Sequence, residues 1–138
     1  MKRDDLVAEA LEWVAVGTPF HANQSVKGVG ADCVGLVGGV AFACGSDLPE
    51  IPKAYSLSPD GSLKAYLDRN LTRVFGEHQP ADVLLMSFDG GEPHHVAMYI
   101  GNGEIVHAYT SVGKAVKQTY TRAWKKRVVA AYRFPGIE

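Results

Sequence analysis

The chain has 138 residues, 46% hydrophobic and 21% charged, and a formal net charge of -1. A chain of this length builds one sizeable core, because folding buries roughly two-thirds of the surface that the unfolded chain exposes. Its near-neutral charge gives no field that would draw in nucleic acid or an anionic membrane, so neither is an expected partner. No apolar run approaches the roughly 20 residues needed to cross a bilayer. The N-terminal "MKRDDLVAEALEWVAV" breaks its apolar positions with acidic residues, unlike a signal peptide, so the expected location is cytoplasmic as synthesised. No repeat, low-complexity tract or linker divides the sequence, and one domain over residues 1–138 is expected.

Leu6, Val7, Ala10, Leu11 and Val14 recur at helical spacing and predict an amphipathic helix from about Asp4 to Val16, closed by "GTP". "HANQSVKGVGA" carries too much glycine and polarity for a regular element. Asp32 is then a good N-cap for a helix running to about Cys44, with Gly45 as its C′ residue. Val34, Leu36, Val37, Val40, Ala41 and Phe42 cover nearly every side of that helix, as in a buried central one. Gly35, Gly38 and Gly39 cost it helical propensity, a cost offset where neighbouring backbone approaches closely.

"SDLPEIPKAYSLSP" reads as loop, and Leu63, Tyr66, Leu67, Leu71 and Val74 predict a third helix over Asp60 to Val74. The second half changes character. "DVLLMSF", "HVAMYIG", "EIVHAYT", "AVKQTYT" and "VVAAYRF" are short, β-prone runs separated by glycine turns. Helices followed by strands predict an α+β domain in which helices pack an antiparallel sheet.

Cys33 would stand at the first turn of a helix, where unpaired backbone N–H groups and the helix dipole favour a thiolate. Cys44 lies at the far end and reads as a core filler. Eleven residues at about 1.5 Å each separate the two by roughly 16 Å, too far to bridge, so both are expected as free thiols.

A nucleophilic cysteine needs a base and a group that orients the base. "HHVAMYIGNGEIVHAY" supplies both as a hairpin. With the turn centred on Asn102, His95 and His107 fall on one face as diagonal neighbours roughly 7–8 Å apart at Cα. A strict two-residue Asn-Gly turn would instead send them to opposite faces. His94 is expected to point away from His95 into solvent, and His78, with no motif around it, to lie on the surface.

These residues resemble a known family. "GTPF…GVGADCVGLV", "ADVLLM" and "HVAMYIGNGEIVHA", in that order, look like the NlpC-type peptidoglycan endopeptidases, papain-like cysteine peptidases, and especially the short versions encoded near phage tail genes. The resemblance covers Gly17 to about Ala108, and "AAYRFPG" fits the closing strand. It implies a papain-like fold with the nucleophile at a helix N-terminus, Cys33 as nucleophile, His95 as general base and His107 as the orienting residue. The implied reaction is hydrolysis of the amide between D-glutamate and a diamino acid in peptidoglycan stem peptides, with those peptides and phage tail proteins as partners.

Two positions depart from the family's pattern: Val34 replaces a serine after the nucleophile, and Phe20 replaces a tyrosine that His21 could substitute for. Phe20, His21, Asp32, Val34 and His94 are the expected substrate contacts, in a groove built from "HANQSVKGVG", "IPKAYSLSP" and "DGGEPHH". No cell-wall-binding module accompanies the domain, so targeting is expected from a larger assembly. A zinc site on Cys33, His95 and His107 lacks CxxC or HExxH spacing, and no metal or other cofactor is expected. The remaining alternatives are a tail-assembly protein that keeps the fold without turnover, and another acyl-transfer reaction on the same Cys-His-His set.

Overall fold

The computed structural model describes residues 1–49 and 60–138. The chain opens with α1 (Arg3–Ala15), followed by a two-rung hairpin of β1 (Ser25–Val26) and β2 (Gly30–Ala31), then α2 (Cys33–Ala43) and α3 (Ser62–Asn70). The rest is β3 (Thr72–Val74), β4 (Val83–Met86), β5 (His95–Gly101), β6 (Glu104–Tyr109), β7 (Lys114–Thr119), the short α4 (Arg122–Lys125) and β8 (Val128–Arg133).

α1 forms where the periodicity places it. Asp4 and Asp5 complement the positive end of its dipole, and Gly17 at φ 71 reverses the chain after it. It buries Leu6, Ala10 and Trp13. α2 lies beside α1, and the two pack on one face of an antiparallel sheet of order β3-β8-β4-β5-β6-β7. Val83, Leu85, Val96, Met98, Val106 and Ala108 meet the helices in the main core. The alternate residues Leu84, Met86, Ala97 and Ile105 fill a second cluster on the opposite face, with Tyr120 and Ala131. Burial on both faces explains why β4 is four consecutive apolar residues rather than an alternating strand.

Two glycines of α2 are steric requirements. A Cβ at Gly35 would lie 1.9 Å from the backbone oxygen of Gln24, and one at Gly39 would lie 2.5 Å from the Trp13 ring. The buried Asp82 ties the sheet together, since both its oxygens receive the Arg133 guanidinium, at 2.9 and 2.8 Å, and Arg3 stands 3.5 Å away. Asp82 is fully buried, so losing Arg133 would leave its charge supported only by Arg3 and the Gln79 N–H and would destabilise the fold.

Four expectations are corrected. The third helix stops at Asn70, whose side-chain amide donates to the Tyr66 carbonyl at 3.0 Å; Leu71 is already extended. Thr72–Val74 then pairs with β8, where β-branched residues and an unfilled sheet edge outweigh the helical spacing of Leu71 and Val74. Phe42 is 80% exposed, because it projects from the side of α2 opposite the Leu36, Val37 and Val40 stripe. The glycine-rich stretch before Asp32 holds the β1–β2 hairpin, turned through Gly28 at φ 78. His78 is half-buried, its ring 6.2 Å from Tyr99 and 6.0 Å from Tyr120. The expected loop is irregular over residues 46–49, and its remainder, including "IPKAYSLSP", lies outside the described residues.

Candidate active site

Asp32 builds the start of α2. Its Oδ1 accepts from the Gly35 N–H at 2.7 Å and its Oδ2 from the Asn23 N–H at 2.8 Å, so one carboxylate caps the helix and fastens the preceding loop to it. The absent side chain of Gly35 lets Gln24 close on the same turn. Cys33 is the first helical residue and is buried, with its sulfur 3.9 Å from the carbonyl oxygen of His94. The helix start thus abuts the entry to β5.

His95 opens β5 and His107 lies in the middle of β6. Nε2 of His95 is 2.7 Å from Nδ1 of His107, and Nε2 of His107 is 2.6 Å from Oε1 of Gln118 on β7. The hairpin register makes the first contact. Asn102 and Gly103, both at positive φ, form a two-residue turn that pairs Gly101 with Glu104. Ile100 is an extra residue beyond it, so Tyr99 pairs with Ile105 and Met98 with Val106. The two alternatives left open by the sequence both occur: the turn is the tight Asn-Gly one, and a bulge restores the histidines to one face.

The three-residue chain fixes its own protons. A Gln118 carbonyl oxygen only accepts, so the Nε2 of His107 carries a hydrogen; the neutral ring then accepts at Nδ1. His95 must donate from Nε2, which leaves its Nδ1 with a lone pair. Burial keeps both rings neutral. It lowers the pKa of His107 against a weaker opposing effect of the Gln118 hydrogen bond. Burial first, and then the repulsion that a protonated His95 would meet from a protonated His107, from His94 and from Arg127, hold His95 well below 6.5. The rings sit in an aromatic box: Phe88 lies 5.1 Å from His95, Trp124 lies 4.8 Å from His107, and Tyr109 stacks on His107 at 5.4 Å.

The other expected contacts are less uniform. Phe20 is half-buried against the main core, its N–H donating to the Gly113 carbonyl at 2.8 Å, while His21 is exposed beside it. Val34 is buried in the core. Asp32 spends both oxygens on backbone donors. His94 is half-buried rather than simply solvated; its Nδ1 donates to the Glu92 carbonyl at 3.2 Å and its ring meets Phe88 edge-on at 4.9 Å. Both cysteines are free thiols, as expected. Gln118 was missed by the sequence reading, although alternation along "AVKQTYT" puts it on one face with Val116, which pairs with His107.

A cysteine at the N-terminus of a core helix, packed on an antiparallel sheet whose adjacent strands join two histidines, defines a papain-like α+β fold. Residues 17–133 match the NlpC/P60 family, and the chain belongs to it. Tail tip assembly protein K of Escherichia phage lambda is 29% identical over 107 residues, which cover 74% of this chain and 53% of that protein. Among solved structures, an NlpC/P60 family protein from Bacillus cereus ATCC 10987 superposes with a TM-score of 0.71 at 26% identity, over 96% of this chain and 40% of that one. The NlpC/p60 domain of the peptidoglycan hydrolase SagA gives a TM-score of 0.67 at 19% identity, over 97% of this chain and 100% of that one. The chain spans about half the length of the phage protein and two-fifths of the Bacillus one.

Proposed function

We propose that this domain is a cysteine peptidase that hydrolyses the D-glutamyl to diamino acid amide of peptidoglycan stem peptides, in the service of a phage or phage-like tail. The observation that carries the reading is the His95–His107–Gln118 hydrogen-bond chain, which leaves the Nδ1 of His95 as the proton acceptor of a buried site bordered by Cys33. Membership of the NlpC/P60 family supports the substrate class, and the likeness to a phage tail tip assembly protein supports the setting.

In the mechanism, Nδ1 of His95 takes the Cys33 thiol proton as the sulfur attacks the amide carbonyl. The backbone N–H groups at the start of α2 face the developing oxyanion, helped by the positive end of the helix. His107 holds the ring and polarises it through Nε2 without exchanging protons with substrate. His95 then returns the proton to the leaving amine, and water, deprotonated by the same ring, hydrolyses the thioester and frees the sulfur. Asp32 keeps the helix start closed, and Phe20 and His21 flank it on the loop side; Val34 packs in the core beneath it, and His94 supplies the carbonyl that the Cys33 sulfur meets.

Incubation with purified peptidoglycan, followed by mass analysis of the soluble fragments, tests this directly. Fragments cut between D-glutamate and the diamino acid are expected. Cleavage at another amide would redefine the specificity, and intact peptidoglycan from every source tried would assign the domain to tail assembly without turnover.

A further inference from the structure

The chain is nearly neutral overall, yet "RAWKKR", Arg122 to Arg127, holds four basic side chains in six residues and no acid. Lys27, Lys64, Lys117, Arg3 and Arg133 all pair with carboxylates, whereas none of these four forms an ion pair among the described residues. Arg122, Lys126 and Arg127 line one cleft together with Ser87, Phe88 and Val129. Asp89, the nearest acid in sequence on the facing loop, is exposed and forms no ion pair among the described residues; its Oδ1 accepts from the Gly91 N–H at 2.9 Å.

The cleft is held in place. The Ser87 N–H donates to the Arg127 carbonyl at 2.9 Å, joining the β4–β5 loop to the end of α4. The Arg127 guanidinium lies over Trp124 at 4.5 Å and over Phe88 at 5.0 Å. Those two rings also wall the histidines, with Phe88 5.1 Å from His95. A fixed guanidinium therefore stands one aromatic ring away from the proposed base. Holding a planar cation between aromatic faces without a carboxylate leaves its charge available for an anion, and guanidinium geometry suits a carboxylate.

The side of the site matters. The acyl half of the substrate meets Cys33 and the start of α2, while the amine half must lie toward His95, which protonates it. On the proposed reaction, to which this inference adds, the amine half is a diamino acid that carries a free carboxylate. We propose that the cleft between the β4–β5 loop and α4 is the carboxylate subsite for this leaving fragment, with Arg127 as its fixed cation and Arg122 and Lys126 as its mobile ones.

Calorimetric titration of the full chain carrying Cys33→Ser, which stops turnover, with two synthetic stem tripeptides tests the subsite. One peptide keeps the diamino acid's carboxylates and the other has them as carboxamides. The carboxylate peptide should bind about tenfold tighter, a difference of about 1.4 kcal/mol, and added salt should shrink the gap. Arg122→Gln with Lys126→Gln, both exposed positions, should bring the ratio to about two; Arg127→Gln should abolish it.

Equal affinities for the two peptides, no binding of either, or a ratio unchanged in the variants would overturn the subsite. Displacement by inorganic phosphate but not by acetate would reassign the cleft to a phosphate-bearing polymer and likewise overturn it. Turnover by the unmodified protein is a separate readout. Its absence with the preference intact removes the peptidase and keeps the subsite, while turnover with equal affinities does the reverse.

Discussion

Nε2 of His95 and Nδ1 of His107 lie 2.7 Å apart across two strands whose turn alone would have put them on opposite faces. The bulge at Ile100 brings them together, and Gln118, 2.6 Å beyond His107, decides which nitrogen of each ring holds the proton.

On the proposed mechanism, Gln118 acts on the base through His107. Gln118→Leu leaves the buried Nε2–H of His107 unpartnered and the tautomers unfixed. The expected result is a roughly ten- to hundredfold loss in kcat with little change in KM. Gln118→Glu keeps an acceptor but adds a charge that favours the imidazolium of His107. That form would donate from Nδ1 and deprive His95 of its lone pair, so the acid limb of the kcat profile should move to higher pH. Comparison of the three pH profiles checks both expectations, and superimposable profiles would remove Gln118 from the chain.

Thiol reactivity should separate the two cysteines. Burial foremost raises the pKa of the Cys44 thiol, with Glu9 and Asp5 adding to the effect, whereas Cys33 lies at a helix start, its sulfur against the His94 carbonyl at the entry to β5. Near neutral pH, iodoacetamide should modify Cys33 well before Cys44, as read by peptide mass mapping. Equal rates would count against an activated Cys33.

The histidine pair also sets a pH dependence of stability. Burial depresses the pKa of both residues in the folded protein below the 6.5 of the free side chain. Below pH 6.5 the unfolded chain binds protons that the folded chain refuses, so stability is present above that pH and is lost as pH falls. Each histidine contributes a slope of up to about 1.4 kcal/mol per pH unit. Urea unfolding at pH 7.5, 6.5 and 5.5 should show a steeper loss over the lower step than in a His95→Gln, His107→Gln variant. Parallel curves would contradict the account.

Two neighbouring glycines of α2 should respond oppositely to alanine. At Gly38 a Cβ meets nothing within 4 Å among the described residues, so Gly38→Ala should stabilise by about 0.5–1 kcal/mol through helical propensity. At Gly39 it would press on the Trp13 ring, whose Nε1 is held by a 2.8 Å bond to Glu9, and the cost should be about 1–3 kcal/mol. Thermal unfolding of the two variants checks the sign of each.

What could be read without a structure follows from how local the signals are. Asp32 capping α2, and glycine turns bounding alternating strands, are decided within a few residues, so Cys33 and both histidines were legible. Whether the histidines share a face turned on a single extra residue, Ile100, which no pattern marks. Leu71 and Val74 continue a helical period, but the free edge of β8 captured Thr72–Val74 as strand. Gln118 sits in "AVKQTYT", which reads only as a β-prone run, and its contact with His107 needs the β6–β7 pairing. The basic cleft joins Ser87 and Phe88 to Arg122–Arg127, segments that only the tertiary fold brings together.

The most direct measurement is the release of the diamino acid fragment from a defined stem peptide by the unmodified protein, Cys33→Ser, His95→Ala and His107→Ala. Cys33→Ser should lose at least about 10³-fold in kcat, because a hydroxyl is a far weaker nucleophile. His95→Ala should lose about 10²–10⁴-fold, and His107→Ala less, since it positions the base without exchanging protons with the substrate. Hydrolysis that persists undiminished in Cys33→Ser would contradict the account.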